Sequence, residues 1–242
     1  MSRIMVFEEE DTSIGFANRK ATPGPEMEMV KHFAEYVTND FKRAKTTNTK
    51  LAIFYEPMLD VGFPDVVLAE YSCAAFKKWK QSRQDLQMSD FKILHHILHI
   101  GGACSKDIQS QLGIDCKTLI MAIERLLDAG LIRRYPGQWQ AISLEHIFGL
   151  KRLVAVEAKL KNNISVFHQA QSNRWFTSES YVLFPAVKHP TTAIERSKQF
   201  GVGVYVLTGR EIKQIKNSPT QLLPSCYGSW LFNEWVGRKL QA

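Results

Sequence analysis

The sequence predicts an α/β fold in which a mixed sheet flanked by helices is interrupted by a smaller, mostly helical domain. Apolar strand-like segments alternate with amphipathic helices over residues 26–73 and again after residue 150. Between them, residues 84–142 change to three short helices followed by two short apolar strands around a turn. A chain of 242 residues is long enough for both parts.

The composition favours a polyanionic partner. The chain carries 31 Lys and Arg against 24 Asp and Glu, a formal net charge of +7, and each phosphate that a basic side chain neutralises releases counterions. The four scattered cysteines lack metal-binding spacing and are typical of reduced thiols. Acids stand early in the chain where a secretion signal needs an apolar run, and no segment approaches the roughly 20 apolar residues that span a bilayer. We expect a cytoplasmic protein with no membrane partner.

The elements of the main fold follow from periodicity and turn signals. In the first half we predict a helix over 26–43 after the breaker run at 21–25, and strands over 51–56 and 63–69, with a charged connector over 74–88. In the second half we predict strands over 153–160, 181–184 and 202–207, separated by helices over 164–176 and 192–200. Alternating helices and strands predict parallel pairing there. A helix near 230–240 ends the chain.

The central segment has its own pattern. Helices are predicted over 89–100, 106–112 and 117–129, each ending at glycine, and a hairpin over 131–142 turns at Pro136 and Gly137. This order is typical of a winged helix-turn-helix domain, and residues 122–134 (AIERLLDAGLIRR) resemble its recognition helix and first wing strand. We therefore predict four parts: 1–83 and 143–216 form the two pieces of the core, 84–142 the insert, and 217–242 a C-terminal helical tail.

Two fragments carry the predicted chemistry, residues 63–67 (FPDVV) and 156–160 (VEAKL). In a strand, Glu157 and Lys159 would leave the same face, where burying an acid and a lysine is costly. A divalent cation held by Asp65, Glu157 and the backbone carbonyl of Ala158 would account for them, because it requires hard oxygen ligands. Lys159 would then orient a water or stabilise charge on a phosphoryl group.

These fragments resemble the pattern that names the PD-(D/E)XK nuclease superfamily. The resemblance implies a restriction-endonuclease-like core in which Asp65 and Glu157 bind Mg²⁺, with Mn²⁺ as a substitute, and Lys159 is the catalytic lysine. Asp65 and Glu157 lie 92 positions apart, whereas a short turn normally joins these half-motifs. An insert between the second and third core strands accounts for the excess.

Further site residues are implied by the same resemblance. Residues 169–174 (QAQSNR) are similar to a "QA…R" stretch of related nucleases, which implies that Gln169 supports the active site and that Arg174 contacts DNA. A fourth acid often comes from the first helix or first strand. Both Glu35 and Glu56 are candidates, with Glu56 slightly favoured because it lies nearer to Asp65 in the sequence. A surface or packing role is the alternative for each of them.

The insert supplies the other candidate interface. We predict that its recognition helix and wing contact DNA through Lys117, Thr118, Met121, Arg125, Arg133, Arg134 and Gln138. Residues 84–141 nevertheless hold six basic and six acidic residues, so a protein contact is the alternative for this domain.

The leading functional hypothesis is a Mg²⁺-dependent endodeoxyribonuclease that uses the insert to position DNA or a partner. A non-catalytic DNA-binding or regulatory protein on a nuclease scaffold is the alternative from another class. A third is the nuclease subunit of a transposition or phage-defence complex, docked through the insert or the C-terminal tail. A homodimer is a further expectation for a nuclease, because cutting two strands usually needs two sites.

Overall fold

The computed structural model describes residues 3–44, 48–60, 62–161, 163–186 and 190–242. The strands are, in chain order, β1 (Ile4–Phe7), β2 (Lys50–Tyr55), β3 (Val66–Tyr71), β4 (Ile132–Tyr135), β5 (Gln138–Ala141), β6 (Leu150–Ala158), β7 (Glu179–Pro185), β8 (Gly203–Thr208) and β9 (Glu211–Lys216). The α-helices are α1 (Pro25–Arg43), α2 (Met88–His99), α3 (Ser105–Leu112), α4 (Cys116–Asp128), α5 (Leu144–Ile147), α6 (Ile164–Asn173), α7 (Pro190–Phe200) and α8 (Tyr227–Gln241). None of the described helices is both long and apolar enough to cross a membrane.

The chain divides into two compact units. Met1–Tyr71 and Leu150–Ser225 form the first, which we call the sheet unit, and Ser72–Gly149 and Cys226–Ala242 form the second, the insert unit. These boundaries differ from the predicted ones. The insert begins and ends at the strand ends themselves rather than at residues 84 and 142, and the C-terminal helix belongs to the insert unit instead of forming a separate tail.

The described residues of the sheet unit form one mixed sheet in the order β1-β2-β3-β6-β7-β8-β9. β2, β3 and β6 make an antiparallel meander, and Tyr71 at the end of β3 pairs with Leu150 at the start of β6. The insert therefore leaves and rejoins the sheet between two neighbouring strands. Helix α1, this meander, helix α6 and strand β7 follow one another in the order that the sequence predicts for the core.

The predicted parallel pairing in the second half is confirmed. β7 pairs in parallel with both β6 and β8, and α6 and α7 form the crossovers. Two strands were not predicted. β1 lies in the polar N-terminal segment and pairs in parallel with β2, where Phe7 stacks on Phe54 at 4.2 Å. β9 pairs with β8 at the edge of the sheet. Its repeated charged residues, which are common in edge strands, do not give the apolar pattern from which a strand is predicted.

The sheet is covered on both faces. Helix α1 buries Val30 and Phe33 against one face, which includes Val154 and Val156 of β6. Helices α6 and α7 cover the other face, where Phe167 packs with Phe184 of β7. Because neighbouring residues of a strand point to opposite faces, Glu157 of β6 belongs to the face covered by α6.

The insert unit contains the predicted three helices and hairpin. β4 and β5 pair antiparallel, and Ala103, which precedes α3, forms an isolated bridge with Trp139 of β5. The predicted charged connector holds two short 3₁₀ helices, Ala75–Lys78 and Gln81–Asp85.

Helix α8 is part of the core of the insert unit. Trp230 is fully buried and meets Phe148 edge-on at 5.0 Å between ring centroids. The buried guanidinium of Arg83 pairs with the equally buried Glu234 of α8. The predicted C-terminal helix is therefore a packed part of the insert unit.

Candidate functional site

The two predicted metal-binding acids come together at one end of the sheet. Val66 pairs with Val156 in the antiparallel register of β3 and β6, so Asp65 and Glu157 stand opposite each other just beyond that pair. The backbone N–H of Ala158 donates a hydrogen bond to Oδ2 of Asp65 at 2.7 Å. Residues separated by the whole insert therefore become neighbours.

Glu157 is a buried carboxyl group. It is 4% exposed, and Nδ2 of Asn173 donates to its Oε1 at 2.7 Å. Burial, and then the charge of Asp65, raise the pKa of Glu157 to about 8. The pKa of Asp65 is also raised, by burial, although the N–H of Ala158 and the charge of Lys159 oppose the shift. The two carboxyl groups resist being ionised together, because both are buried and their negative charges repel each other.

Asn173, and not Gln169, is the residue of α6 that reaches the site. Gln169 is exposed to solvent, and no described hydrogen bond joins it to Glu157. The prediction placed the contact one helical turn too early. Residues four apart share a helix face, so the spacing from Gln169 was a signal that could have identified Asn173.

Lys159 lies just after β6 and lines a cavity of about 260 Å³ beside Asp65. Its Nζ is 3.0 Å from Oε2 of Glu26, whose Oε1 accepts a hydrogen bond from the N–H of Leu160 at 3.3 Å. The ammonium thus reaches the first turn of α1, whereas Glu157 contacts α6. The two side chains therefore do not share a face as predicted. Side chains alternate between faces only within a strand, and β6 ends at Ala158, before Lys159.

Glu26 was not predicted as a site residue. An acidic residue in the first turn of a helix is favourable because of the helix dipole. Its presence there does not indicate from the sequence that Glu26 also contacts Lys159.

Glu56 is the candidate fourth acid that lies at the cavity. It has a positive φ of 46°, a conformation that costs a non-glycine residue roughly 1–3 kcal/mol. Its backbone N–H donates to the carbonyl of Asp65 at 3.1 Å, and its Oε2 accepts a bond from Nε of Arg19 at 2.6 Å. Glu35 is instead exposed and lines a different cavity with Arg43 and Arg210. The structure therefore favours Glu56 over Glu35.

The charges of this cluster suit a divalent cation. Its four carboxyl groups face two cationic groups, so full ionisation leaves two negative charges uncompensated. The carboxyl groups are Glu26, Glu56, Asp65 and Glu157, and the cations are Arg19 and Lys159. Within the described ranges no three His, Cys, Asp or Glu side chains form a ready-made metal cage. Mg²⁺ is commonly held by one or two carboxylates and keeps several waters, so Asp65 and Glu157 fit it as a pair. Coordination by the carbonyl of Ala158 stays a prediction.

The predicted recognition helix, α4, presents a mixed surface. Lys117 and Met121 are exposed, together with Ile120 and Glu124. Thr118 is half-buried, and both its N–H and its hydroxyl donate to the carboxylate of the N-cap, Asp115.

Arg125 does not face outward as predicted. Its guanidinium forms two 2.7 Å bonds with Asp90, which is fully buried. This cation is held inside the insert unit because leaving the Asp90 carboxylate unpaired would be costly.

The hairpin offers the remaining predicted contacts in the insert. Arg133 and Arg134 are both exposed, and Arg134 lies over the ring of Trp139 at 5.9 Å. Gln138 is half-buried beside Gly102. In the sheet unit, Arg174 binds the carbonyl of Gly201, so its guanidinium serves the packing of α6, contrary to the predicted DNA contact.

Comparison with known proteins gives one family match, which lies in the insert. A model of the MarR family matches residues 86–138, which run from the residues just before α2 to the start of β5. This match supports the winged-helix domain and covers 53 of the 242 residues. Comparison with curated proteins and with solved structures finds no match. The resemblance of the sheet unit to PD-(D/E)XK nucleases therefore stays a prediction.

Proposed function

We propose that this protein is a metal-dependent nuclease that hydrolyses DNA phosphodiester bonds at the cluster around Asp65. The observation that carries the proposal is the meeting of Asp65 with Glu157 and Lys159, which lie 92 and 94 positions further along the chain. Structural ion pairs seldom need two mutually repelling carboxyl groups in a largely apolar sheet, and strongly shifted pKa values are common at functional sites.

Each residue has a role that follows from its surroundings. Asp65 and Glu157 would hold Mg²⁺, which supplies the activation of a water for attack on phosphorus. Asn173 orients the carboxylate of Glu157 through its 2.7 Å hydrogen bond. Lys159, 3.0 Å from Glu26, would release that partner in part to stabilise charge on the phosphoryl oxygens.

A cleavage assay with matched variants tests the proposal. Wild type, Lys159→Ala and Lys161→Ala are incubated with Mg²⁺ or Mn²⁺ and with single-stranded, double-stranded and branched DNA. Lys161 is exposed and lies two residues further on, so its variant controls for the loss of one positive charge. We expect Lys159→Ala to lower kcat by at least about 100-fold, and Lys161→Ala to cleave like the wild type. Equal inactivity of all three proteins on every substrate would refute the nuclease.

A non-catalytic DNA-binding regulator is the second candidate, and the MarR match is the specific observation that favours it. MarR family proteins are DNA-binding regulators, and this match supports DNA as a partner without supporting catalysis. The exposed Arg133 and Arg134 of the hairpin would supply phosphate contacts. Homodimerisation stays a prediction in either case.

Binding without cleavage distinguishes the second candidate. DNA binding that persists in EDTA, is unchanged by Lys159→Ala and is weakened by joint replacement of Arg133 and Arg134 with Ala would favour the regulator. The nuclease requires instead that Lys159→Ala lower kcat for cleavage by at least about 100-fold.

A further inference from the structure

The N-terminal segment holds a second cation at the cavity, and backbone pairing fixes its place. The N–H of Arg19 donates to the carbonyl of Glu56 at 2.9 Å, and the N–H of Met58 donates to the carbonyl of Ala17, also at 2.9 Å. Asn18 and Pro57 form a bridge between these contacts. Arg19 is therefore held beside the turn between β2 and β3 by its main chain, independently of its side chain.

The side chain of Arg19 is held in place by its neighbours, but part of its guanidinium is accessible to solvent. Nε donates to Oε2 of Glu56 at 2.6 Å, Nη2 pairs with the same carboxylate, and the guanidinium lies 5.2 Å from the centroid of the Phe63 ring. The side chain is nevertheless 53% exposed, and Nη1 has no acceptor among the described residues. A planar guanidinium with free N–H groups is well suited to bind a phosphate.

Glu56 combines a strained backbone conformation with a side-chain bond to Arg19. A non-glycine residue keeps a positive φ only where the surroundings enforce it, and here Oε2 of the Glu56 carboxylate is bound by Arg19. The other cation at the cavity, Lys159, has its own acid in Glu26. Two acid–cation pairs therefore line the same cavity as Asp65.

We propose that Arg19 binds a phosphate of the nucleic-acid backbone next to the cleaved one, and that Glu56 positions Arg19 and is not a metal ligand. This inference rests on the proposed function, because it assigns a role to the same cavity. The ligand is a phosphodiester of a nucleic-acid strand, recognised by charge and by N–H donors without base specificity.

Binding of a fluorescent tetranucleotide, with Ca²⁺ replacing Mg²⁺ to slow hydrolysis, tests the role of Arg19. We compare wild type, Arg19→Ala and the adjacent Lys20→Ala. Lys20 is exposed and does not line the cavity, so its variant removes the same charge from the same segment. Arg19→Ala should raise Kd by about tenfold and Lys20→Ala by less than about twofold. Equal effects of the two substitutions would overturn the proposal, since they would indicate only a general loss of charge.

Glu56→Gln tests the second half of the proposal. Titration with Mn²⁺ should give the wild-type affinity, because the carboxylate is not a ligand, whereas tetranucleotide binding should weaken by a few-fold. Loss of Mn²⁺ binding together with unchanged tetranucleotide affinity would show that Glu56 serves the metal and would refute its positioning role.

The outcomes also separate this inference from the nuclease itself. If the wild type cleaves DNA, Arg19→Ala should raise KM and leave kcat within about threefold, and a KM equal to that of the wild type refutes the role of Arg19. If the wild type does not cleave, the tetranucleotide measurement still decides whether Arg19 binds phosphate. Thermal unfolding checks that each variant is folded. Arg19→Lys, which keeps the charge and loses the fork of donors, replaces Arg19→Ala if the latter is unfolded, and a partial loss of affinity is then expected.

Discussion

Glu157 shows most clearly, at the scale of single residues, that the site is arranged for something other than stability. Its carboxyl group lies in an apolar strand, with Asp65 as the neighbour that most raises its pKa after burial itself. Asn173 favours the ionised form but does not offset these two effects. A buried acid whose pKa is raised to about 8 destabilises the folded chain whenever it is ionised.

The first prediction concerns stability and pH. The pKa of Glu157 rises from 4.5 in the unfolded chain to about 8 in the folded one, so between these values the folded state binds more protons. Without metal, the free energy of unfolding should therefore fall as pH rises from about 5 to about 8, by on the order of 1.4 kcal/mol per pH unit for this group. Glu157→Gln should flatten the slope, and Asp65, whose pKa is also raised, should leave a remainder.

Urea unfolding at several pH values, with and without Mn²⁺, measures this effect. Mn²⁺ should stabilise the wild type more at high pH, because it binds the ionised pair, and should not stabilise Glu157→Gln to the same extent. The exposed Glu211→Gln should keep the wild-type profile. A slope that Glu157→Gln leaves unchanged would contradict the burial of an ionisable group at this position.

The cluster residues that could be predicted from the sequence are those in the two short fragments 63–67 and 156–160. Asp65, Glu157 and Lys159 stand in short fragments whose apolar neighbours make a charged side chain conspicuous. Glu26 and Asn173 lie on helices with ordinary amphipathic patterns, and only the tertiary packing of α1 and α6 brings them to the site. The spacing along the chain does not mark Glu26, and the four-residue spacing from Gln169 indicates only that Asn173 shares its helix face.

Among the secondary-structure elements, helix α6 was predicted correctly, but the residue predicted to contact the site was wrong. The predicted helix over 164–176 contains the observed one, Ile164–Asn173. The side chain directed at Glu157 nevertheless comes from its last residue instead of from Gln169. Because one turn separates the two positions, a resemblance that covers the right helix still leaves the contacting residue open.

The second prediction separates these two residues. Asn173→Ala removes the hydrogen bond to Glu157 and should weaken Mn²⁺ binding by about 10- to 100-fold, the usual effect of losing a group that orients a metal ligand. Gln169→Ala should bind Mn²⁺ like the wild type, because Gln169 is exposed. Titration calorimetry of both variants gives the comparison. The reverse ranking would restore the original assignment of Gln169.

Periodicity predicts central elements better than edge elements. The central strands β6, β7 and β8 have continuous apolar runs because both of their faces are buried. β1 has four residues beside an acidic run, and β9 alternates charged with apolar residues at the sheet edge. Such strands are specified by pairing with a neighbour, which composition does not show.

The division into two units could be predicted from the sequence only in part. The change of pattern near residue 88 and after residue 141 identifies the winged helix, which the MarR match supports. It does not reveal that Arg83 and Glu234, 151 positions apart, form a buried pair. Helix α8 joins the insert unit through contacts that no local pattern encodes, and the predicted boundaries therefore exclude part of its core.

The third prediction is that the sheet unit folds without the insert unit. Tyr71 and Leu150 are paired ends of neighbouring antiparallel strands, so a turn of about two to five residues can replace 72–149. A chain of residues 1–71, this turn and residues 150–225 should unfold cooperatively and keep the Mn²⁺ affinity of the full protein, because every residue of the cluster around Asp65 lies in the sheet unit. DNA affinity should fall if the winged helix supplies the main contacts.

The last prediction concerns the insert unit, which we expect to need helix α8 in order to fold. Residues 84–142 alone should remain largely unfolded by circular dichroism, because they lack Arg83 and all of α8, including the fully buried Trp230. Supplying a peptide of residues 226–242 to residues 72–149 should restore helical structure. If the 84–142 fragment folds stably by itself, α8 is dispensable to the winged helix; if the linked sheet unit fails to bind Mn²⁺, the metal site requires more of the chain than the sheet unit contains.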